Sequence, residues 1–192
     1  MDNTQNYQRA VLYINLGFLE ENYRAIRSLL PDNVKILCVI KADAYGHGAV
    51  RVAQRLNAMG VEYFGVATLE EAIDLRANGI ENPLLIMSGI LPWDNLMSFV
   101  EYNLTPVVYD RYALKRIVEA NSNYKTPFKI HIKFDTGMGR LGFFPHEGPY
   151  IVETLKNIDN IHVEGVMTHF SASEIRDDYG LNQIKMFREI IE

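Results

Sequence analysis

Short apolar runs alternate with stretches of helical periodicity along most of the chain. The first apolar run, residues 36–40, ends abruptly at Lys41, and its length and flanks predict a strand. Before it, apolar residues recur at helical spacing until Pro31, which predicts a helix. After a short turn, helical spacing returns over residues 49–59 and ends at Gly60.

This alternation continues until six strands have been predicted. The further strands are residues 61–67, 83–89, 105–110, 128–135 and 162–170. The helices that follow them are residues 69–79, 95–102, 111–121, 149–156 and 181–192. Such repeats are typical of a parallel sheet covered by helices, so the predicted fold class is α/β. A doubly wound sheet also fits, but no Gly-x-Gly-x-x-Gly follows the first strand, and we favour a (β/α)8 TIM-type barrel.

The number of units falls short of a complete barrel. A closed barrel of this type has eight strands and about 250 residues, whereas this chain of 192 residues shows six units. The apolar residues of the last helix are still in phase at Glu192, with no glycine or proline after them. We therefore expect a barrel truncated to about six βα units, with residues 1–192 forming one domain that is incomplete at its C-terminus.

Composition and charge exclude several classes of protein. Acidic and basic residues are mixed along the chain and sum to a net charge of −5, without the basic stripe of a nucleic-acid-binding or membrane-surface protein. The single cysteine, Cys38, lies in the first apolar run, where core packing is a better interpretation than nucleophilic chemistry. Residues 1–10 are polar and lack the apolar core of a signal peptide. We expect a cytoplasmic protein.

Three predicted strands end in groups that could do chemistry. Lys41 ends the first strand, the segment KFDTGMGRLGF (residues 133–143) follows the fifth, and His169 ends the sixth. In a barrel, residues at the carboxyl ends of the strands line the active site. Taken singly, each has a plain structural explanation: a solvated lysine, ordinary glycine turns and a core histidine. Together, on three separate strands, they favour a common site.

A lysine in such a site has a defined chemistry. An amine removed from water and placed near other cations is a nucleophile for aldehydes, including the aldehyde of pyridoxal 5'-phosphate (PLP). Once released, the same amine can act as a base. The glycine-rich turn would hold Arg140 in one direction.

Two segments carry a resemblance to a known family. VIKADAYGHG (residues 39–48) and KFDTGMGRLGF resemble the two signature segments of bacterial alanine racemase, a PLP enzyme with an N-terminal barrel and a C-terminal β-domain. YINLGFLEENYRAIR near the N-terminus and GVMTHFSASE at the sixth strand also resemble that family. The similarity covers essentially the whole chain, and the two signatures stand in the family's order about 90 residues apart.

The resemblance implies a role for each matching residue. Lys41 would bond the cofactor's aldehyde and exchange a proton with one face of the substrate's α-carbon. Tyr45 would bind the cofactor phosphate, and Arg140 would contact the cofactor's phenolic oxygen and the substrate. His169 would pack on the pyridine ring. Lys133 matches a lysine that is carbamylated in some members and that holds the arginine in place; an unmodified lysine paired with Asp135 or solvent is the alternative.

The implied function is PLP-dependent interconversion of L-alanine and D-alanine, which supplies a peptidoglycan precursor. The resemblance implies a homodimer in the full-length protein, because the family's second base is a tyrosine from the partner's C-terminal domain. We therefore expect the 192-residue chain alone to be inactive. A serine or broader-specificity racemase of the same family, or a non-catalytic PLP-binding barrel, stays open as an alternative. No metal site, nucleic-acid partner or membrane partner is expected.

Overall fold

The computed structural model describes residues 10–121 and 126–192 as one α/β arrangement. The strands are β1 (Leu37–Val39), β2 (Tyr63–Val66), β3 (Leu84–Ile86), β4 (Leu104–Val108), β5 (Phe128–Lys133) and β6 (Ile161–Met167). The helices are α1 (Leu16–Ser28), α2 (Lys41–Gly46), α3 (Ala49–Ala58), α4 (Leu69–Ala77), α5 (Leu96–Glu101), α6 (Arg111–Ala120), α7 (Gly148–Leu155) and α8 (Asp178–Ile191). The prediction of a polar segment without a signal-peptide core concerns residues that lie almost entirely outside the described part of the chain.

The sheet has the strand order expected for a barrel wall. Its six strands follow one another as β1-β2-β3-β4-β5-β6, and each neighbouring pair is parallel. Within the described residues, β1 and β6 are the two edges and do not pair with each other, so the sheet is not closed. The fold class predicted from the sequence, α/β with about six βα units, is confirmed.

Capping residues explain where several helices begin. The side chains of Asn15, Thr68, Asn95, Asp110 and Asp177 each accept a hydrogen bond from a backbone N–H in the first turn of the helix that follows. These bonds satisfy donors that have no partner inside the helix. The predicted helix and strand positions agree with the structure to within a few residues. One shift of three residues is at α8, which begins at Asp178 rather than at residue 181, because Asp177 caps it.

The core lies between the sheet and the helices that cover its outer face. Its fully buried large side chains include Phe64, Phe99, Phe128 and Phe143. Cys38 packs half-buried against this core, and burial raises the pKa of its thiol, as a packing role requires. Among the described residues, no helix combines the length and apolar character that crossing a membrane requires.

One face of β5 carries polar side chains, a feature that the sequence analysis did not predict. Lys129 forms an ion pair of 3.2 Å with Glu164 on β6, and Thr105 on β4 donates a hydrogen bond of 2.9 Å to the same carboxylate. His131 follows on the same face and fills the space that a side chain on Gly165 would occupy. A row of polar groups therefore runs along the inner surface of the sheet toward Lys133.

The stability of the chain is expected to fall as the pH drops from about 7 to about 5. Burial lowers the pKa of His131 below its ordinary value of 6.5, and Glu164 opposes that effect only in part. Below pH 6.5 the unfolded chain takes up a proton that the folded chain still rejects, so stability rises with pH in this window. We expect the free energy of unfolding, measured with urea at several pH values in this range, to change less with pH in His131→Gln than in the parent protein. An equal change with pH in both proteins would contradict the expectation.

Candidate active site

The three strand ends singled out in the sequence meet at one edge of the sheet. Lys41 directly follows Ile40 at the end of β1, Lys133 is the last residue of β5, and His169 comes two residues after β6. Since all strands are parallel, these positions share the carboxyl edge. Burial, and then the charges of Arg140, Lys133 and Lys41, lower the pKa of His169. The imidazole therefore lies within the electrostatic reach of all three cations.

Lys41 begins an unusual backbone segment. Residues 42–45 in α2 have φ between 50° and 56° and ψ between 39° and 51°, the left-handed helical conformation. The sequence predicted only a turn here, because none of these four residues is glycine, the residue for which that conformation is ordinary. The stretch is held by Ala44 N–H, which donates to the carbonyl of Ile40, and by Asp43, whose carboxylate accepts from Ala49 N–H.

The left-handed turn brings Tyr45 back beside Lys41. The Nζ atom of Lys41 lies 6.0 Å from the centre of the Tyr45 ring. Tyr45 is 60% exposed, so its hydroxyl is free to reach a bound molecule at the sheet edge. Lys41 itself is half-buried. The two residues of the first signature segment therefore present an amine and a phenol on the same side.

The glycine-rich segment folds into a compact loop around Asp135. The Asp135 carboxylate accepts hydrogen bonds from the backbone N–H groups of Gly137 and Gly139, at 2.9 Å each for the shorter contacts. Desolvation would raise the pKa of this carboxyl, but the backbone N–H groups of four residues together lower it below its usual value. The base of the loop is closed by Phe143, whose backbone bonds to Lys133 and Asp135. Arg140 is exposed at the tip of this loop.

Lys133 is the buried cation of the site, with a relative exposure of 6%. Burial and then the charge of Arg140 lower the pKa of its amine, and Asp135 opposes this only in part. Among the described residues, no carboxylate forms an ion pair within 4.0 Å of Lys41, Lys133 or Arg140. In the described part of the chain, these three cations therefore have no carboxylate at ion-pair distance, and Asp135 offsets their charge only in part.

A buried polar network on α8 ties two of the strand ends together, and sequence reasoning missed it. Gln183, with a relative exposure of 1%, accepts hydrogen bonds from the N–H and hydroxyl of Ser171. Its amide donates to the carbonyl oxygen of His169 at 3.1 Å and to the hydroxyl of Thr136 at 3.4 Å. Thr136 also contacts the hydroxyl of Thr168 at 2.8 Å.

A second residue of α8, Tyr179, contacts the glycine-rich loop: its hydroxyl donates to the carbonyl oxygen of Gly137 at 2.6 Å.

Gln183→Met is expected to lower the free energy of unfolding by about 1–3 kcal/mol, because it leaves buried partners of the amide without a hydrogen bond. Methionine has a similar length and keeps the packing of the helix. The matched control is Lys185→Met, at an exposed position two residues away, where the change should stay within about 0.5 kcal/mol. Urea unfolding measures both, and equal effects would contradict a specific role for the network.

The sequence of this chain is similar to those of known proteins. The model of the family described as "Alanine racemase, N-terminal domain" matches residues 14–192. Alanine racemase 1 of Caldanaerobacter subterraneus is 41% identical over 181 residues, which cover 93% of this chain and 46% of that protein. Alanine racemase of Halothermothrix orenii is 36% identical over 180 residues, with 93% and 47% covered. The chain thus spans about half the length of the curated relatives it matches.

Solved structures agree with the sequence comparison. The structure of alanine racemase from Clostridium difficile 630 in complex with cycloserine superimposes with a TM-score of 0.86 at 36% identity. That match covers 93% of this chain and 49% of the other. The fold and the strand-end site define an α/β barrel-type domain with a basic cluster at the carboxyl edge of its sheet. The chain belongs to the alanine racemase N-terminal domain family, as the resemblance of its signature segments predicted.

Proposed function

We propose that this chain is the barrel portion of a PLP-dependent alanine racemase that interconverts L-alanine and D-alanine in the cytoplasm. The observation that carries the proposal is that Lys41, Lys133 and His169 share the carboxyl edge of the parallel sheet, with Arg140 on the loop that follows β5. Membership of the family and the names of the relatives support the same reaction. We further propose that residues 1–192 act together with a C-terminal β-domain in a homodimer.

The residues of the cluster fit an anionic aldehyde cofactor. Its cations have no carboxylate within ion-pair distance among the described residues, so a phosphate and a phenolate would supply the missing negative charge. Lys41 offers a half-buried primary amine, the group that bonds an aldehyde. Tyr45 offers an exposed hydroxyl beside that amine, suited to a phosphate oxygen. When bound, PLP would supply an electron sink for the negative charge that develops on the substrate's α-carbon.

Each residue then has a distinct task. Lys41 would hold the aldehyde, and its amine would remove or return the α-proton on one face of alanine. Arg140 would bind the phenolic oxygen and orient the substrate toward that amine. The imidazole of His169 would pack against the pyridine ring, where its lowered pKa favours the uncharged form beside three cations.

We propose that Lys133 positions Arg140. Burial and the neighbouring guanidinium lower its pKa, which increases the share of neutral amine. A neutral amine is the form that reacts with carbon dioxide, in a step that forms an N–C bond and releases the amine proton to solvent. We propose that Lys133 is carbamylated in this way. The resulting anion would pair with Arg140 and fix its direction.

Racemisation requires a base on both faces of the α-carbon, and Lys41 serves one. We propose that the second base is a tyrosine of the partner subunit's C-terminal domain, as the family resemblance implies. Full-length protein incubated with PLP and L-alanine should therefore form D-alanine, while the separate 192-residue chain should not. Chiral chromatography measures both, with L-serine as the competing substrate. Absence of D-alanine from the full-length protein, or faster turnover of serine, would contradict the proposal.

A further inference from the structure

The left-handed turn after Lys41 is costly for the residues that form it. Each non-glycine residue in this conformation is disfavoured by about 1–2 kcal/mol relative to the right-handed form. Four such residues follow one another at positions 42–45. A conformation of this kind persists only when surrounding contacts determine it. The direction of the Lys41 side chain depends on this turn, because Lys41 is the residue that enters it.

A carboxylate from a different element reaches into the turn at its first residue. Glu71 lies in the first turn of α4, and its Oε1 accepts a hydrogen bond of 2.8 Å from the backbone N–H of Ala42. Its Oε2 accepts one of 2.7 Å from the N–H of Ala67 at the end of β2. Both bonds are short and end on a charged acceptor, the stronger kind of hydrogen bond. Glu71 therefore links the ends of β1 and β2 through backbone atoms.

The same side chain is itself held in place. The backbone N–H of Glu71 donates to the hydroxyl of Thr68, the residue that caps α4. This bond fixes the first turn of the helix, and the helix packs on the sheet through Leu69, Ala72 and Leu75, all buried. The carboxylate thus belongs to a rigid element, whereas Ala42 belongs to a segment with an unfavourable conformation. We therefore expect α4 to fix the conformation of the turn, rather than the turn to fix α4.

We propose that Glu71 is a positioning residue for Lys41: its carboxylate selects the left-handed turn and so directs the lysine amine into the site. The part that concerns PLP rests on the proposed function, but the effect of Glu71 on the turn does not. Within the described residues, Glu71 forms no ion pair within 4.0 Å of the Lys41 amine. It acts on the backbone immediately after the lysine.

Glu71→Gln tests the proposal because the amide keeps the shape but replaces one acceptor oxygen with a donor that opposes a backbone N–H. Hydrogen–deuterium exchange of the peptide containing Ala42 should become about 10- to 100-fold faster, the loss expected for one charge-assisted hydrogen bond. Exchange in β3, on the far side of β2, should stay unchanged. The rate of PLP attachment to Lys41, followed by absorbance, should fall by a similar factor.

Two further variants separate positioning from general stabilisation. Glu70→Gln removes the same charge from the same helix turn at an exposed position and should leave the exchange of this peptide unchanged. Adding Ala42→Gly to Glu71→Gln should recover part of the PLP attachment rate, because glycine adopts positive φ without a steric cost at the first of the four residues. Exchange at residue 42 should stay fast in the double variant, because its N–H still lacks the carboxylate acceptor. Should Glu71→Gln fail to fold, Glu71→Asp takes its place, since its shorter side chain cannot span both N–H groups.

Three results would overturn the proposal: parent-like exchange around Ala42 in Glu71→Gln, an equal acceleration in Glu70→Gln, or no recovery of the attachment rate on adding Ala42→Gly. The failure of the proposed function looks different. In that case the parent protein would not attach PLP at Lys41, while the exchange results would still follow the pattern expected for Glu71.

Discussion

Lys41→Ala is expected to abolish covalent attachment of PLP and to reduce racemisation by the full-length protein at least about 10²- to 10⁴-fold, the usual cost of losing a general base. The loss is expected to be at the upper end of that range, because one amine serves as both the anchor and the base. Absorbance of the protein–cofactor adduct and the rate of D-alanine formation measure the two effects separately.

Lys35→Ala is the matched control for this change. Lys35 precedes β1 as Lys41 follows it, but its amine forms an exposed ion pair with Glu62 at 3.2 Å. Surface pairs of this kind contribute little to stability, so both attachment and turnover should stay at the parent level. Attachment retained in Lys41→Ala, or lost equally in Lys35→Ala, would show that the amine at the end of β1 is not the reactive group.

Gly142→Ala is expected to lower the free energy of unfolding by about 2–6 kcal/mol, the sum of a strained backbone and an overpacked contact. The φ of Gly142 is +144°, and an added Cβ would lie 2.6 Å from the carbonyl carbon of Phe134 and still closer to the backbone of Asp135. Relief requires the loop to open at its base, which displaces Arg140. PLP binding should therefore weaken together with stability.

Gly139→Ala in the same loop separates the two causes. Gly139 also has a positive φ, +71°, but no atom lies within 4 Å of an added Cβ. Only the conformational cost of about 1–2 kcal/mol should appear. Urea unfolding and PLP titration of both variants make the comparison, and a Gly139→Ala loss as large as that of Gly142→Ala would show that the close approach to residues 134 and 135 is unimportant.

The order and type of the strands and helices followed from the sequence because each element has a clear boundary signal. Short segments rich in apolar residues mark the strands, which are three to seven residues long, and glycines or prolines end several helices. The exception is α2. Its residues Ala42 to Tyr45 carry no local signal for a left-handed conformation, since three of the four have ordinary helical or neutral preferences and none is glycine. The contact with Glu71, 29 residues away in the chain, is invisible to any local pattern.

The candidate site, like the fold, could be predicted from the sequence only in part. Lys41, Arg140 and His169 were predicted from their positions at strand ends, and the structure brings those ends together, while their roles stay predictions. Gln183 was missed because a glutamine on a helix is ordinarily solvated. One signal was present: positions 183, 187 and 190 share a helix face, and Gln183 stands where an apolar residue is expected.

The polar inner face of β5 was also missed, although the sequence of this strand alternates apolar and polar residues. In this strand Lys129, His131 and Lys133 alternate with the apolar residues Phe128, Ile130 and Ile132. Isoleucines at 130 and 132 gave the strand its apolar character. The polar row ends at the basic cluster, so the pattern that was overlooked leads directly to the site.

Reductive trapping tests the central claim most directly. Full-length protein is mixed with PLP, treated with borohydride to fix the cofactor on its amine, digested, and the labelled peptide sequenced by mass spectrometry. The account predicts one principal adduct, on Lys41. An adduct mainly on Lys133 or on any other lysine, or none at all, would contradict it.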